Sequence, residues 1–381
     1  MSVRRIRTGL TGAVVAAAVV ATAFVTPAAA RENTGHDRTQ EAIEAAVKAG
    51  VPGVVAQARD EDGSWTGTAG VANLNTGRER EAPDRYRVGS ITKTFVATVL
   101  LQLQAEGRLD LDDTVDRWLP GVIRGNGNDG RRITVRQLLN HTSGIYSYTE
   151  DPDFVKSVFG DGFFEHRYDT WTPRQLVRTA MRHKPDFAPG TSWKYSNTNF
   201  TVAGMVIKEV TGRSYGKEIE RRIIKPLGLR ATTVPGTDAR MPGPSGRAYS
   251  TLSIDPNAKV HDVTELNPSA AGAAGEMISN SSDLQRFYRA LLKGRLLPER
   301  QLKEMMTTVA LGDEMPEGGY GLGLMQLKLK CGKEVWGHGG GIHGSSSEAL
   351  VTRDADHSLA FNFNGDWSGD SGAVVEAEFC D

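Results

Sequence analysis

The chain has 381 residues, 39% of them hydrophobic and 24% charged, an ordinary globular composition long enough for one large core or two joined ones. Lys and Arg number 45 against 46 Asp and Glu, so no global field draws in nucleic acid or an acidic membrane. There is also no basic stripe with interleaved aromatics, which excludes nucleic acid as a partner class.

Residues 1–30 read as a targeting segment. Arg4, Arg5 and Arg7 give a cationic start, Leu10 to Val25 is apolar and alanine-rich, and Pro27 precedes the small residues Ala28-Ala29-Ala30. The apolar run is short for a membrane span, which needs about 20 residues, so a cleaved signal peptide is expected rather than a stable anchor. Arg4-Arg5 hints at twin-arginine export, but Ile6-Arg7-Thr8 continues it poorly and the general secretory route fits better. A secreted or cell-envelope protein follows.

Strand text begins with Val54-Val55-Ala56-Gln57-Ala58, turns at Asp60-Glu61-Asp62-Gly63 and resumes from Ser64 to Ala72. After Ser90 the pattern changes. Ile91 to Glu106 contains neither Gly nor Pro, has little polar face and stops at Gly107, which predicts a helix buried on nearly all sides. The middle of the chain is loop-rich and helical, with helices expected over Thr134–Asn140, Thr172–His183, Thr198–Thr211, Tyr215–Ile224 and Ser281–Leu292, the last capped by Ser282. Strands return at Tyr320–Leu329, Val335–Gly339, Ser345–Thr352 and Ser358–Phe363, and Ala373–Phe379 closes the chain as a helix. Strands at both ends with helices between imply an α/β part built from the two termini, about 35–89 and 275–381, and a mainly helical part at about 90–274.

Cys331 and Cys380 are the two cysteines. In an oxidising compartment an even pair suggests one disulfide, and two unpaired buried thiols are the alternative. No Cys-x-x-Cys or His-Glu-x-x-His occurs and the eight histidines are scattered, so neither a metal nor another cofactor is indicated.

Three short stretches carry chemistry. Ser90-Ile91-Thr92-Lys93 lies where strand text becomes the buried helix, and its spacing of about one turn puts Ser90 and Lys93 on one face. A lysine in an apolar helix is costly to bury charged, so its pKa should fall and fit it to activate a serine nucleophile. The motif is short, and a second copy, Ser214-Tyr215-Gly216-Lys217, reads as an ordinary helix start. Tyr195-Ser196-Asn197 supplies a phenol able to relay the proton of the serine, its phenolate favoured next to a lysine ammonium; a surface turn is the plainer alternative. Trp336-Gly337-His338-Gly339-Gly340-Gly341 supplies a glycine-rich strand that a substrate backbone can approach, and the N–H of Gly341 with that of Ser90 would form an oxyanion hole. A flexible turn with a solvated histidine is the alternative there.

In this order the three stretches resemble the serine D-Ala-D-Ala carboxypeptidases and the class C β-lactamase superfamily, most of all the secreted, soluble carboxypeptidases of the actinobacterial type. Arg87-Val88-Gly89-Ser90, Leu109-Asp110-Leu111-Asp112, Ile133 to Gln137, His141-Thr142-Ser143-Gly144, Tyr195 to Phe200 and Tyr320-Gly321-Leu322-Gly323-Leu324 extend the likeness over essentially the whole mature chain, and the cysteine pair shares in it. The resemblance implies an antiparallel sheet flanked by helices with a helical insertion, an acyl-enzyme on Ser90, and proton exchange through Lys93 and Tyr195. It further implies that Asn197, His338, Gly339 and Gly340 contact substrate, that the substrate is a peptide or D-amino-acid derivative, that β-lactams inhibit, and that the protein is a monomer.

One departure concerns the substrate. Where such carboxypeptidases can carry an arginine for the terminal carboxylate this chain has Met325, and Gly339 and Gly341 replace hydroxyl residues. Lys328 and Lys330 alternate to the other face. Bidentate arginine pairing is not easily replaced. A D-Ala-D-Ala carboxypeptidase-like peptidase is the main expectation, with a D-amino-acid amidase or esterase, a class C β-lactamase and a penicillin-binding sensor as alternatives. Gly369-Asp370-Ser371-Gly372 imitates another protease loop but stands too near the end of the chain for that fold.

Overall fold

The computed structural model describes residues 35–253, 255, 258–311 and 318–380; the expected signal peptide lies outside them. Helix α1 (Asp37–Lys48) leads into strands β1 (Gly53–Arg59) and β2 (Ser64–Gly70). The long buried helix α2 (Thr92–Ala105), then α3 (Asn197–Thr211) and α4 (Ser281–Leu292), are the main helices of the middle. The chain closes through β3 (Val309–Ala310), β4 (Gly319–Tyr320), β5 (Met325–Lys328), β6 (Glu334–Ile342), β7 (Ser345–Thr352), β8 (Ser358–Phe363) and α5 (Ser371–Phe379). All eight strands form one antiparallel sheet in the order β2-β1-β8-β7-β6-β5-β4-β3.

Alternation along β1 explains the layering. Val54, Ala56 and Ala58 join Phe361, Phe363, Ile43 and Phe379 on the face covered by α1 and α5, while Val55 joins the core on the face of α2 and α4. The outer layer is tied by Glu378, which accepts from Thr39 Oγ1 at 2.7 Å and meets His36 Nδ1 at 3.1 Å. Cys331, in the turn between β5 and β6, is bonded to Cys380, with Cα atoms 5.7 Å apart.

Local expectations needed several corrections. The single strand expected over Tyr320–Leu329 is two, because Gly321 N–H donates to Leu324 O and folds the chain back so that Tyr320 pairs with Met325. The α4 cap is Asn280, whose side chain accepts from Asp283 N, rather than Ser282. Residues 220–224 leave the regular α-helix expected through Ile224 and form a wider π turn. Ser214 caps its helix by accepting from Lys217 N, and Asp370 caps α5, so both decoy motifs have local structural tasks. Among the described residues no helix is long and apolar enough to cross a membrane.

Candidate active site

Ser90 is placed by a short strand and a tight turn. Tyr86–Arg87 pairs with Ile278–Ser279, and Gly89–Ile91 then makes a 3-10 turn into α2. Gly89 has φ of +51°, and a Cβ there would stand 2.7 Å from Gly341 N, so only glycine permits both the turn and the approach of β6. Ser90 is half-buried and Lys93 completely buried.

Lys93 Nζ lies 2.9 Å from Ser90 Oγ, 2.8 Å from Asn197 Oδ1 and 2.7 Å from the Ala274 carbonyl. Burial holds its pKa well below 10.5, and no carboxylate among the described residues pairs with it. A neutral amine has two N–H groups and one lone pair. The two carbonyl oxygens can only accept and therefore take the N–H groups, which leaves the lone pair for the Ser90 hydroxyl. The geometry selects Lys93 as proton acceptor.

Tyr195 closes the group from the loop before α3, with Lys93 Nζ 4.8 Å from the centre of its ring. Its hydroxyl is buried and makes no hydrogen bond of normal geometry to any described residue, although Ser90 is near enough to favour the ionised form slightly. Burial outweighs that effect and pushes its pKa upward. The expected phenolate beside a lysine ammonium is thus corrected: burial shifts both partners toward their neutral forms. Asn197 is fixed from two sides, its N–H donating to Ser147 Oγ at 3.1 Å and its Nδ2 to Thr149 Oγ1 at 3.1 Å.

The glycine-rich strand does not meet expectation at every residue. A Cβ on Gly340 would lie 2.0 Å from Val88 O, so this glycine serves the packing of β6 against the Ser90 turn. One on Gly339 would meet the Glu348 carboxylate at 2.7 Å, away from Ser90. His338 is buried, with Nε2 2.9 Å from Tyr320 Oη and Nδ1 2.5 Å from the Gly339 carbonyl, so neither nitrogen is free for a ligand. Of the residues expected on this strand, Gly341 lines the cleft and His338, Gly339 and Gly340 do not. Beyond Gly337 the strand is paired on one side alone, by β7, and its other edge faces the Ser90 turn.

Ser90, Asn197 and Gly341 open onto a cleft of about 90 Å³. Its walls are largely apolar, from Val158, Phe159, Phe163, Trp171, Leu266 and Ile342. Sequence reasoning missed these walls and also Arg167, which lines the cleft with no carboxylate partner among the described residues. The density of aromatics between Phe154 and Trp171 was the available signal. Met325 is half-buried on β5 opposite Gly337 and does not line the cleft.

A serine hydroxyl against a buried neutral lysine, beside a buried phenol and a glycine strand, matches one known family throughout. The profile described as Beta-lactamase spans residues 39–376. The chain belongs to the β-lactamase family. It is a serine hydrolase with penicillin-binding protein homologues and the α/β fold of that family. Among solved structures it is similar to a D-stereospecific amidohydrolase from Streptomyces sp., with 72% identity, TM-score 0.87, and coverage of 91% of this chain and 98% of that one. It is also similar to the D-amino acid amidase from Ochrobactrum anthropi SV3 in complex with D-phenylalanine, at 28% identity and TM-score 0.77, over 90% of this chain and 98% of that one. Penicillin-binding protein 4* of Bacillus subtilis (strain 168) is 28% identical over 80% of this chain and 66% of its own length. The chain spans about half to two thirds of the length of the first curated relatives it matches.

Proposed function

We propose that the chain hydrolyses amides or esters of D-amino acids with large apolar side chains through an acyl-enzyme on Ser90. The observation that carries this reading is the placement of the Ser90 hydroxyl, activated by neutral Lys93, at the mouth of an aromatic cleft. The D-series is carried over from the Streptomyces amidohydrolase and the Ochrobactrum amidase. This favours the amidase or esterase alternative over the strict carboxypeptidase.

In the proposed reaction Ser90 Oγ attacks the acyl carbonyl as its proton moves to the lone pair of Lys93. The backbone N–H groups of Ser90 and Gly341 hold the oxyanion, and Asn197 orients the substrate amide. As the intermediate collapses, Tyr195 gives its proton to the departing amine or alcohol and regains one from the Lys93 ammonium. Water then attacks the ester, loses a proton through the same two groups, and Ser90 recovers its hydrogen with release of the D-amino acid. The disulfide and the apolar leader support export of the mature chain.

The test is turnover of D- and L-phenylalanine amide and methyl ester by wild type and Ser90→Ala. A preference for the D-series of roughly 100-fold or more, lost in Ser90→Ala, is expected. Equal turnover of both enantiomers, or activity surviving the substitution, refutes the proposal. Arg167 favours one second reading, capture of a free carboxylate on a D-peptide. Comparing a D-Ala-D-Ala peptide with its C-terminal amide separates the two, since a strong preference for the free acid supports the second.

A further inference from the structure

His141-Thr142-Ser143-Gly144 and Tyr320-Gly321-Leu322-Gly323 stood out in the sequence without a task, and neither enters the chemistry above. The fold gathers their rings behind Tyr195. The His141 ring is centred 4.3 Å from that of Tyr195, the Tyr320 ring 6.2 Å and the His338 ring 6.4 Å.

The protons of this cluster can be placed one at a time. Ser143 Oγ accepts from Ile145 N–H at 3.0 Å, so its own hydrogen goes to Asn199 Oδ1 at 2.6 Å. That fixes the Asn199 amide with Nδ2 toward His141. There Nδ2 at 3.1 Å and the backbone N–H of Ser196 at 3.2 Å both point at Nδ1 of the imidazole. Nδ1 therefore carries no hydrogen, and neutral His141 bears its proton on Nε2, 3.2 Å from Tyr320 Oη. Tyr320 passes its hydroxyl hydrogen to His338 Nε2 at 2.9 Å, and His338 donates from Nδ1 to the Gly339 carbonyl at 2.5 Å. The chain runs one way, from Ser196 to Gly339, with every donor matched.

Burial keeps it uncharged. It lowers His141 well below the usual imidazole value and His338 to about 3. The Tyr195 hydroxyl is buried yet without a hydrogen bond of normal geometry, as are Trp193 Nε1 and Ser196 Oγ nearby, whereas every ring nitrogen and hydroxyl of His141, Tyr320 and His338 has a partner. His141, Tyr320 and His338 therefore offer it no free donor.

We propose that His141 and Tyr320 are positioning residues for Tyr195: the chain of hydrogen bonds occupies the donors of His141, Tyr320 and His338 behind the phenol, so these groups leave its hydroxyl to Ser90 and the substrate. This rests on Ser90, Lys93 and Tyr195 being the reacting set. Removal of the Tyr320 hydroxyl strands the Nε2–H of His141 and the bare Nε2 of His338, and the Tyr195 hydroxyl becomes the partner both compete for. His338 also loses the donor that kept Nε2 unprotonated, so it takes a proton more readily. The ionisable groups facing it are Lys93 from α2, Tyr195 from the loop before α3, His141 from the loop after the Val135–Leu139 helix, and Tyr320 from β4. Glu348 of β7 lies across Gly339 on the opposite face of the sheet. An imidazolium at that place opposes transfer of the serine proton to Lys93, so the acid limb, the fall in activity caused by His338 protonation near pH 3 in wild type, moves to higher pH.

Hydrolysis of p-nitrophenyl acetate, which needs the serine but not the natural substrate, tests this across pH 3 to 9, read at a wavelength where p-nitrophenol and its anion absorb equally. Tyr320→Phe, which keeps the ring, should lower kcat/KM at pH 7 by about 10- to 100-fold and raise the midpoint of the acid limb by about one unit. His141→Gln can present an N–H where Nε2 stood and should keep the wild-type limb, whereas His141→Leu should shift it. This pair also serves if Tyr320→Phe fails to fold. A Tyr320→Phe profile superimposable on wild type overturns the proposal, as does an equal loss at every pH with the limb unmoved. Ester turnover surviving Ser90→Ala overturns instead the reading of the reacting set.

Discussion

Lys93→Met separates the charge of the lysine from its volume and tests whether the amine stands neutral in the folded chain. The unfolded lysine has the ordinary value of 10.5, and burial lowers the folded one far beneath it. Between those values the unfolded chain binds a proton that the folded chain does not, so wild-type stability rises with pH by about 1.4 kcal/mol per unit. The penalty is greatest at low pH and vanishes as pH passes the unfolded value. Wherever the folded amine is neutral, the penalty shrinks by about 1.4 kcal/mol for each unit of rising pH. Methionine carries no such penalty, but it leaves Asn197 Oδ1 and the Ala274 carbonyl without their donor, at about 1–3 kcal/mol each. Wild type should then gain on the variant by about 3 kcal/mol between pH 7 and pH 9, measured by urea unfolding at both values. Groups common to the two proteins drop out of the difference. Ester turnover should fall by about 100- to 10,000-fold. A stability difference that does not change with pH means a charged lysine in the fold, and the argument for Lys93 as base fails.

Burial lowers His343 to about 4, so the unfolded chain gains a proton below the usual imidazole value of about 6.5 that the folded chain refuses until about pH 4. Wild type should lose about 3 kcal/mol relative to His343→Gln between pH 7 and pH 4; parallel urea curves contradict this. Arg167→Gln should leave D-phenylalanine amide turnover within about twofold while weakening any action on free-acid D-peptides by about tenfold or more, as a kcat/KM comparison would show. Gly340→Ala drives a methyl group into Val88 O and should abolish ester turnover, whereas Gly341→Ala meets open space and should keep most of it; equal behaviour of the two refutes the packing account.

Ser90 and Lys93 were legible because helical spacing is a local property and Lys93 interrupts an apolar run. The approach of Asn197 to Lys93 is not local; it joins residues far apart in the chain and was read through likeness to a family. The charge state of Tyr195 was misread, since a list of neighbours carries no information on how deeply a phenol is buried. The cleft walls escaped because Phe159, Phe163 and Trp171 sit on short helical turns and loops with no periodic pattern to assign them a face. His338 was assigned to substrate because a histidine beside glycines looks exposed; the Tyr320 hydroxyl that occupies its Nε2 comes from a strand separated from it by two turns. The break after Tyr320 was hidden for a similar reason, since Gly321-Leu322-Gly323-Leu324 alternates as a strand would. Helix α1 drew no reading at all. Its alanine-rich pattern buries little beyond Ile43 and Ala46, and it is held as much by the Glu378 cluster as by apolar packing.

The order of the sheet has a consequence for biosynthesis. Strand β8, made after every other strand of the sheet, is the wedge between the β1–β2 hairpin and the strands from β7 to β3. Until it arrives, the hairpin has no neighbour on its inner side and β7 no support behind the glycine strand. A nascent or truncated polypeptide lacking Ser358–Phe363 therefore cannot bring the Ser90 turn against Gly340 and Gly341. Hydrolytic competence arrives with the final strand, so a fragment released early is inert toward whatever amides or esters surround it.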